Sequence, residues 1–348
     1  MAEVCVKRSE PRRPTAARRV LLALAAVLAA VSAAVAGPPP AAAQNGVFPE
    51  VYRRESFLMQ ALLQAEAGDF LGDGRTGLAV SGRNYETNEA YVHVLYWDGT
   101  DFQVVWRSPN LWEPASHVAI AAGDFTGAGR TQLAVLTDQR LRLFQWDGGA
   151  MVQIHEQPGM GAPAEIGVVR HPDHPYDLIA VSRRQGVDLD YVPRKSIELI
   201  GWLGGRFRPL WETETIGRVR ALTGGDLTGN GYSEIIVEVG NNMTPGSVQI
   251  WAWRDGAYRR LEDAPLRSAP AFGLATAGGG RLLVVADDRG RAAVYEMRDR
   301  LTLLGESAPL GWAVASAAAG DFFGDGGVQA VVIGYPSRLH VVQIVEGR

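Results

Sequence analysis

The sequence is almost without cysteine. One, Cys5, occurs in 348 residues, inside the N-terminal segment described below. A disulfide framework and a thiolate metal site are therefore excluded for the rest of the chain. Positive charge is not in excess either. The formal net charge is −4, and setting aside residues 1–43 leaves 28 basic and 36 acidic residues, a net of −8. A nucleic-acid binder normally carries a basic face, so no nucleic-acid partner is expected. Gly-x-Ser-x-Gly, His-Glu-x-x-His and the phosphate-binding loop are all missing. Uninterrupted apolar sequence is confined to one stretch, Val20 to Ala36.

That stretch follows Lys7, Arg8, Arg12, Arg13, Arg18 and Arg19 and precedes Gly-Pro-Pro-Pro-Ala-Ala-Ala-Gln-Asn. A basic start, a short apolar run and a small-residue site describe a secretory signal peptide. Cleavage fits after Ala36 and after Ala43; the second lies closer to the repeats. The 17-residue run is also at the short limit for an uncleaved membrane anchor. On either reading residues 44–348 are expected outside the cytoplasm, secreted or attached to the cell surface. Any membrane contact would run through an uncleaved leader.

What the chain has in quantity is glycine, 41 residues, with 9 tryptophans at regular places. This suggests many turns between short strands. One phrase recurs: AGDFLGDGRTGLAV from Ala67, AGDFTGAGRTQLAV from Ala122, GGDLTGNGYSEIIV from Gly224 and AGDFFGDGGVQAVV from Ala319. Weaker copies begin at Ile166 and Phe272. The spacing of about 45–58 residues is a propeller-blade period. Most copies are followed by two strand-like stretches around Asp98-Gly99, Asp147-Gly148, Gly204-Gly205 or Asp255-Gly256, which are hairpin signals. Each unit thus predicts four strands, with blades starting near 60, 115, 163, 216, 269 and 312. The last unit is one strand short. NGVFPEVYRRE from Asn45 matches TDFQVVWRSP from Thr100, with Phe48 on Phe102, Val51 on Val105 and Tyr52 on Trp106. The expected fold is an all-β, six-bladed β-propeller of four-stranded blades, its N-terminal strand closing the last blade and removing open edges.

The recurring Gly-Asp-Phe loop resembles the FG-GAP and VCBS type of repeat found in integrin alpha-chain propellers and many exported bacterial proteins. That resemblance implies a propeller and raises the matter of calcium, which such loops bind through an Asp-x-Asp-x-Asp-Gly-x-x-Asp pattern. Here the pattern is eroded. The four side-chain positions read Asp69, Leu71, Asp73, Gly77; Asp124, Thr126, Ala128, Gln132; Asp226, Thr228, Asn230, Glu234; and Asp321, Phe323, Asp325, Gln329. Only Asp226, Thr228, Asn230 and Glu234 keep oxygen throughout. The expected cofactor is none, with calcium at that loop as the competing reading. The leading expectation is a structural turn in which Asp accepts backbone N–H groups and the following Phe or Leu packs between blades.

Loops between second and third strands should emerge on the opposite face. Three are read as long: 82–89 in blade 1, 183–195 in blade 3 and 240–246 in blade 4. They bring Arg83, Asn84, Tyr85, Arg183, Arg184, Asp188, Asp190, Tyr191, Arg194, Lys195, Asn241 and Asn242 to one rim. Long loops on a rigid scaffold commonly carry function. This mixture suits an extracellular protein or glycan. Asn242-Met243-Thr244 fits a glycosylation sequon. His171 and His174, with Asp173 and Asp177, offer a metal clip or, more simply, a proline-stiffened turn. The function expected is a non-catalytic binding or scaffold propeller. The alternative is an extracellular propeller enzyme, a polysaccharide lyase or hydrolase, which would show acidic, His and Arg groups converging on the central channel.

Overall fold

The computed structural model describes residues 47–113, 117–160, 163–187, 193–214, 216–240, 246–266, 271–311 and 313–344. Two short strands come first, β1 (Val47–Phe48) and β2 (Glu50–Arg54). Blade 1 holds β3 (Ala61–Gly68), β4 (Gly77–Asn84), β5 (Glu89–Trp97) and β6 (Phe102–Arg107). Blade 2 holds β7 (Ala119–Gly123), β8 (Gln132–Leu136), β9 (Arg140–Trp146) and β10 (Met151–Pro158). Blade 3 holds β11 (Pro163–Arg170), β12 (Asp177–Val187), β13 (Pro193–Leu203) and β14 (Arg206–Glu212). Blade 4 holds β15 (Val219–Gly225), β16 (Glu234–Val239), β17 (Ser247–Arg254) and β18 (Ala257–Pro265). Blade 5 holds β19 (Ala271–Ala277), β20 (Leu282–Asp287), β21 (Ala292–Met297) and β22 (Leu301–Ser307). Blade 6 holds β23 (Val314–Gly320), β24 (Val328–Gly334) and β25 (Arg338–Ile344). Its fourth strand is β2, antiparallel to β25 with Tyr52 opposite Val341. The chain is an all-β, six-bladed propeller closed by its N-terminal strand.

One detail of the closure differs from the sequence alignment. Phe48 does not join the strand that completes blade 6. It lies in β1, parallel to β22 with Phe48 opposite Ser307, as a fifth strand on blade 5. Pro49 separates the two strands; it has no N–H to continue a ladder. Its carbonyl accepts a bond from the Gln343 amide at 2.9 Å.

Alternation along the strands places apolar side chains on both faces of every blade, and each blade buries them against its two neighbours. Six cores result, one per blade interface. The residue after each loop aspartate (Phe70, Phe125, Leu227, Phe322) is buried in such a core. The first strands, β3, β7, β11, β15, β19 and β23, all contribute to the wall of a central channel. There the chains come very close. A Cβ on Gly224 would lie 1.9 Å from the Val168 carbonyl oxygen, so only glycine fits. By connectivity, the loops joining first and second strands emerge on one face, called here the first, and those joining second and third strands on the other.

Candidate binding surfaces

On the first face, the repeated aspartates tie their own loops. Asp69 Oδ1 accepts from the Gly72 and Asp73 amides at 2.8 and 3.1 Å, and Oδ2 from Gly74 at 2.9 Å. Asp124, Asp226 and Asp321 make the same pair of bonds to residues four and five positions on, at 2.7–3.1 Å. Glycines at the turn take positive φ, 86° at Gly74 and 87° at Gly231. Leu71 and Phe323, at would-be ligand positions, serve packing instead: the Phe323 ring lies 4.7 Å from Trp97, and Leu71 joins the blade 1–2 core. Gln132 and Gln329 turn back to accept the Phe125 and Phe322 amides at 3.1 and 2.8 Å.

The blade 4 loop follows the same plan. Asp226 accepts from Asn230 and Gly231, and Asn230 Oδ1 accepts from the Tyr232 amide at 2.8 Å. Glu234 accepts the Thr228 amide at 3.1 Å and its hydroxyl at 2.8 Å. Burial holds the Glu234 carboxyl above the usual carboxylate range. Asp226, Asn230 and Glu234 thus accept from donors of their own loop, and the Thr228 hydroxyl is one of those donors. Among the described residues no group of three or more His, Cys, Asp or Glu is placed to hold a metal ion.

His171 and His174 come together, ring centroids 5.2 Å apart. His171 Nδ1 accepts the Asp173 amide at 3.0 Å, and the ring stands edge-on to Trp253 at 4.3 Å. Asp177 is occupied elsewhere, by the Asp124 amide at 2.8 Å and Arg170 at 3.4 Å.

On the second face the ladders run further than sequence suggested. Blade 1 pairs out to Asn84 opposite Glu89, leaving a four-residue turn, 85–88, rather than a loop of 82–89. Blade 3 pairs out to Val187 opposite Pro193, so most of 183–195 is hairpin arm. Polar residues hid these extensions, because a strand is read in sequence from alternating apolar residues. Arg83 lies over the Tyr85 ring, 4.1 Å from its centroid, and Gln60 accepts the Tyr85 amide at 3.1 Å. Asn84 Oδ1 accepts the Glu86 amide at 3.0 Å. For Arg183, Arg184, Arg194 and Lys195 only the backbone is described. Asp188, Asp190, Tyr191, Asn241, Asn242 and the sequon lie outside the described residues.

Other groups on this face were not singled out by sequence. At the blade 1–2 seam, Arg142 bridges Glu113 at 3.3 Å and Glu156 at 3.1 Å. Nearby Asp138 has its carboxyl pushed up, chiefly by burial. At the blade 6–1 seam, Leu58, Met59, Gln60 and Pro336 line a hollow of about 310 Å³. Ser56, Leu58 and Ser337 around it adopt φ of 54°, 65° and 64°, unusual for residues with a Cβ. Tyr85 and Tyr335 are 50% and 60% exposed. No sequence signal marks this hollow, because it forms between segments nearly 280 residues apart.

The channel is narrow and carries few ionisable side chains among the described residues. Its cavity of about 150 Å³ is walled mainly by Ala67, Ala122, Gly224 and Ala317–Ala319, and among the described residues Glu66 is the single ionisable group on that wall. Burial pushes the Glu66 carboxyl up to about 8, against a hydrogen bond from Gln64 at 3.2 Å. Gln64 spans the channel: Oε1 accepts the Ile120 amide at 2.9 Å and Nε2 donates to the Ile166 carbonyl at 3.0 Å.

No family model matches the chain, and no curated protein does. Among solved structures it is similar to the C-terminal WD40 domain of Sif2, at 11% identity over 86% of this chain and 99% of that one, TM-score 0.47. It is also similar to Chaetomium thermophilum Raptor, at 11% identity over 82% of this chain, TM-score 0.50. The chain spans 24% of that Raptor chain. At such identity a likeness bears on the fold alone.

Proposed function

We propose that this protein is an exported, non-catalytic binding propeller of the FG-GAP and VCBS type, acting outside the cytoplasm on an extracellular protein or glycan. The closed six-bladed propeller is the observation that carries the binding reading. Glycoside hydrolysis uses a pair of carboxylates, and among the described residues lining the channel Glu66 is the single ionisable group.

The ligand surface in this reading is the second face. Arg83 on Tyr85 presents a cation and an aromatic ring already ordered against each other, the kind of rigid anchor that dominates binding. The hollow at Leu58, Met59 and Pro336 lies beside it through Gln60. The reading extends to the segments 183–195 and 240–246 named from the sequence, of which Asp188, Asp190, Tyr191, Asn241 and Asn242 lie outside the described residues. Calcium at Asp226, Thr228, Asn230 and Glu234 is the competing cofactor reading and is tested by chelation, below.

The test is capture from envelope and secreted material of the host, using the immobilised protein and an Arg83→Ala/Tyr85→Ala variant. A partner retained by the first and lost by the second supports the reading. Equal retention by both would move the ligand surface elsewhere.

A further inference from the structure

We propose that the cleft on the first face between the loops of blades 2, 3 and 4 is a carbohydrate site that takes a neutral pyranose polymer. This site lies on the face opposite Arg83 and Tyr85 and stands independently of the reading above.

The cleft, about 200 Å³, is lined by Arg170, His174, Tyr176 and Tyr232, with Asp124 and Asp177 at its base. Its frame is fixed by bonds between blades. Asp177 accepts the Asp124 amide at 2.8 Å and returns its own amide to the Asp124 carbonyl at 3.0 Å. Arg170 and Ser233 exchange a similar pair, the Arg170 amide to Ser233 Oγ at 3.0 Å and the Ser233 amide to the Arg170 carbonyl at 2.9 Å. Three loops are thereby stapled into one rigid rim, which lowers the ordering cost of binding.

Two tyrosine rings stand out from that rim, Tyr176 and Tyr232, 37% and 43% exposed. Tyr176 is held as a platform. It lies against Gly127, where a Cβ would fall 2.0 Å from Tyr176 Cε1 and φ is +76°. The absent side chain of Gly127 is what lets the ring lie down. A ring packed on one side and open on the other offers an apolar face to the C–H side of a sugar. Arg170 and His174 beside it can hydrogen-bond hydroxyls.

The charge pattern selects a neutral ligand. Arg170 is paired with Asp177 at 3.4 Å, so the guanidinium is not a bare anion site. Residues 44–348 carry a net −8, which repels polyanions at low salt. The third loop is also the one that replaces the repeated Gly-Asp-Phe phrase with His-Pro-Asp-His-Pro-Tyr-Asp, and that replacement supplies His174 and Tyr176.

Affinity electrophoresis tests this directly, with the whole protein run through gels containing xyloglucan, mannan, hydroxyethyl cellulose or alginate. Retardation by at least one neutral polymer and not by alginate is expected. Tyr176→Ala and Tyr232→Ala should each weaken it about tenfold, while Tyr176→Phe should retain it, because the ring face is kept. Both positions are exposed, and unchanged melting temperatures would show that the three variants fold. No retardation by any neutral polymer overturns the proposal. So does retardation that survives both alanine variants, or stronger retardation by alginate.

Discussion

The side-chain amide of Gln64, on the innermost strand of blade 1, donates to the carbonyl oxygen of Ile166 on blade 3 at 3.0 Å. The two residues are 102 positions apart and in blades that are not neighbours. The same side chain accepts from Ile120 of blade 2 at 2.9 Å, so one glutamine ties three blades across the channel. Gln64→Ala leaves two backbone groups without this partner. We expect a loss of about 1–3 kcal/mol, as for a buried group left unsatisfied, measured by denaturant unfolding. Stability within about 0.5 kcal/mol of the parent would mean that water replaces both bonds.

Glu66 gives the channel a pH signature. Its carboxyl is raised from 4.5 to about 8, first by burial. The folded chain therefore holds this proton more tightly than the unfolded chain, and the associated stability is present below pH 4.5 and lost as pH rises towards 8. Glu66→Gln should raise the melting temperature most at pH 8–9 and least near pH 5. A shift of equal size at both would remove the carboxyl as its source.

The loop aspartates should act without metal. Asp69→Ala removes three loop bonds and Asp226→Ala two. Each should cost about 1–2 kcal/mol, in the range for a lost side-chain cap. Chelation of the parent protein should leave its melting temperature unchanged. Stabilisation by added calcium that Asp226→Ala abolishes would establish the competing reading for that loop.

Ring closure rests on the segment after β2. Phe57 is fully buried between blades 6 and 1, with its amide bonded to the Ser337 carbonyl at 2.8 Å. Arg54 adds a bridge to Asp101 of blade 1 at 3.1 Å, and Tyr52 donates its hydroxyl to the same carboxylate. Phe57→Ala should cost about 3–5 kcal/mol. Val51→Ala, at an exposed position of the preceding closing strand β2, should change stability by less than about 0.5 kcal/mol. Comparable losses from the two would contradict a closure held by core packing.

The fold was legible because its period is written in short-range chemistry. Asp69, Asp124, Asp226 and Asp321 each announce a tight loop, and Asp-Gly pairs announce the hairpins. Even blade 6 could be completed from Tyr52 and its neighbours. Phe48 was misassigned because a two-residue strand has no pattern of its own, and Pro49 alone marks the change of blade. The channel was not legible. Gln64 and Glu66 sit two residues apart in an ordinary strand pattern, and only the closed ring brings Ile120 and Ile166 to them. The rims divided in the same way. Arg83 and Tyr85 could be picked out as polar residues at a turn, whereas the platform of Tyr176 depends on Gly127, 49 residues earlier in another blade.

Hydrogen exchange of the protein, alone and saturated with its captured partner, tests the central claim of a binding propeller most directly. The account expects slowed exchange at the 85–88 turn, at residues 56–60 and at the blade 3 hairpin tip, with β3 and β19 unchanged. Protection centred on β3 and β19 around Glu66, with the second face unaffected, would contradict it and make the channel the working site.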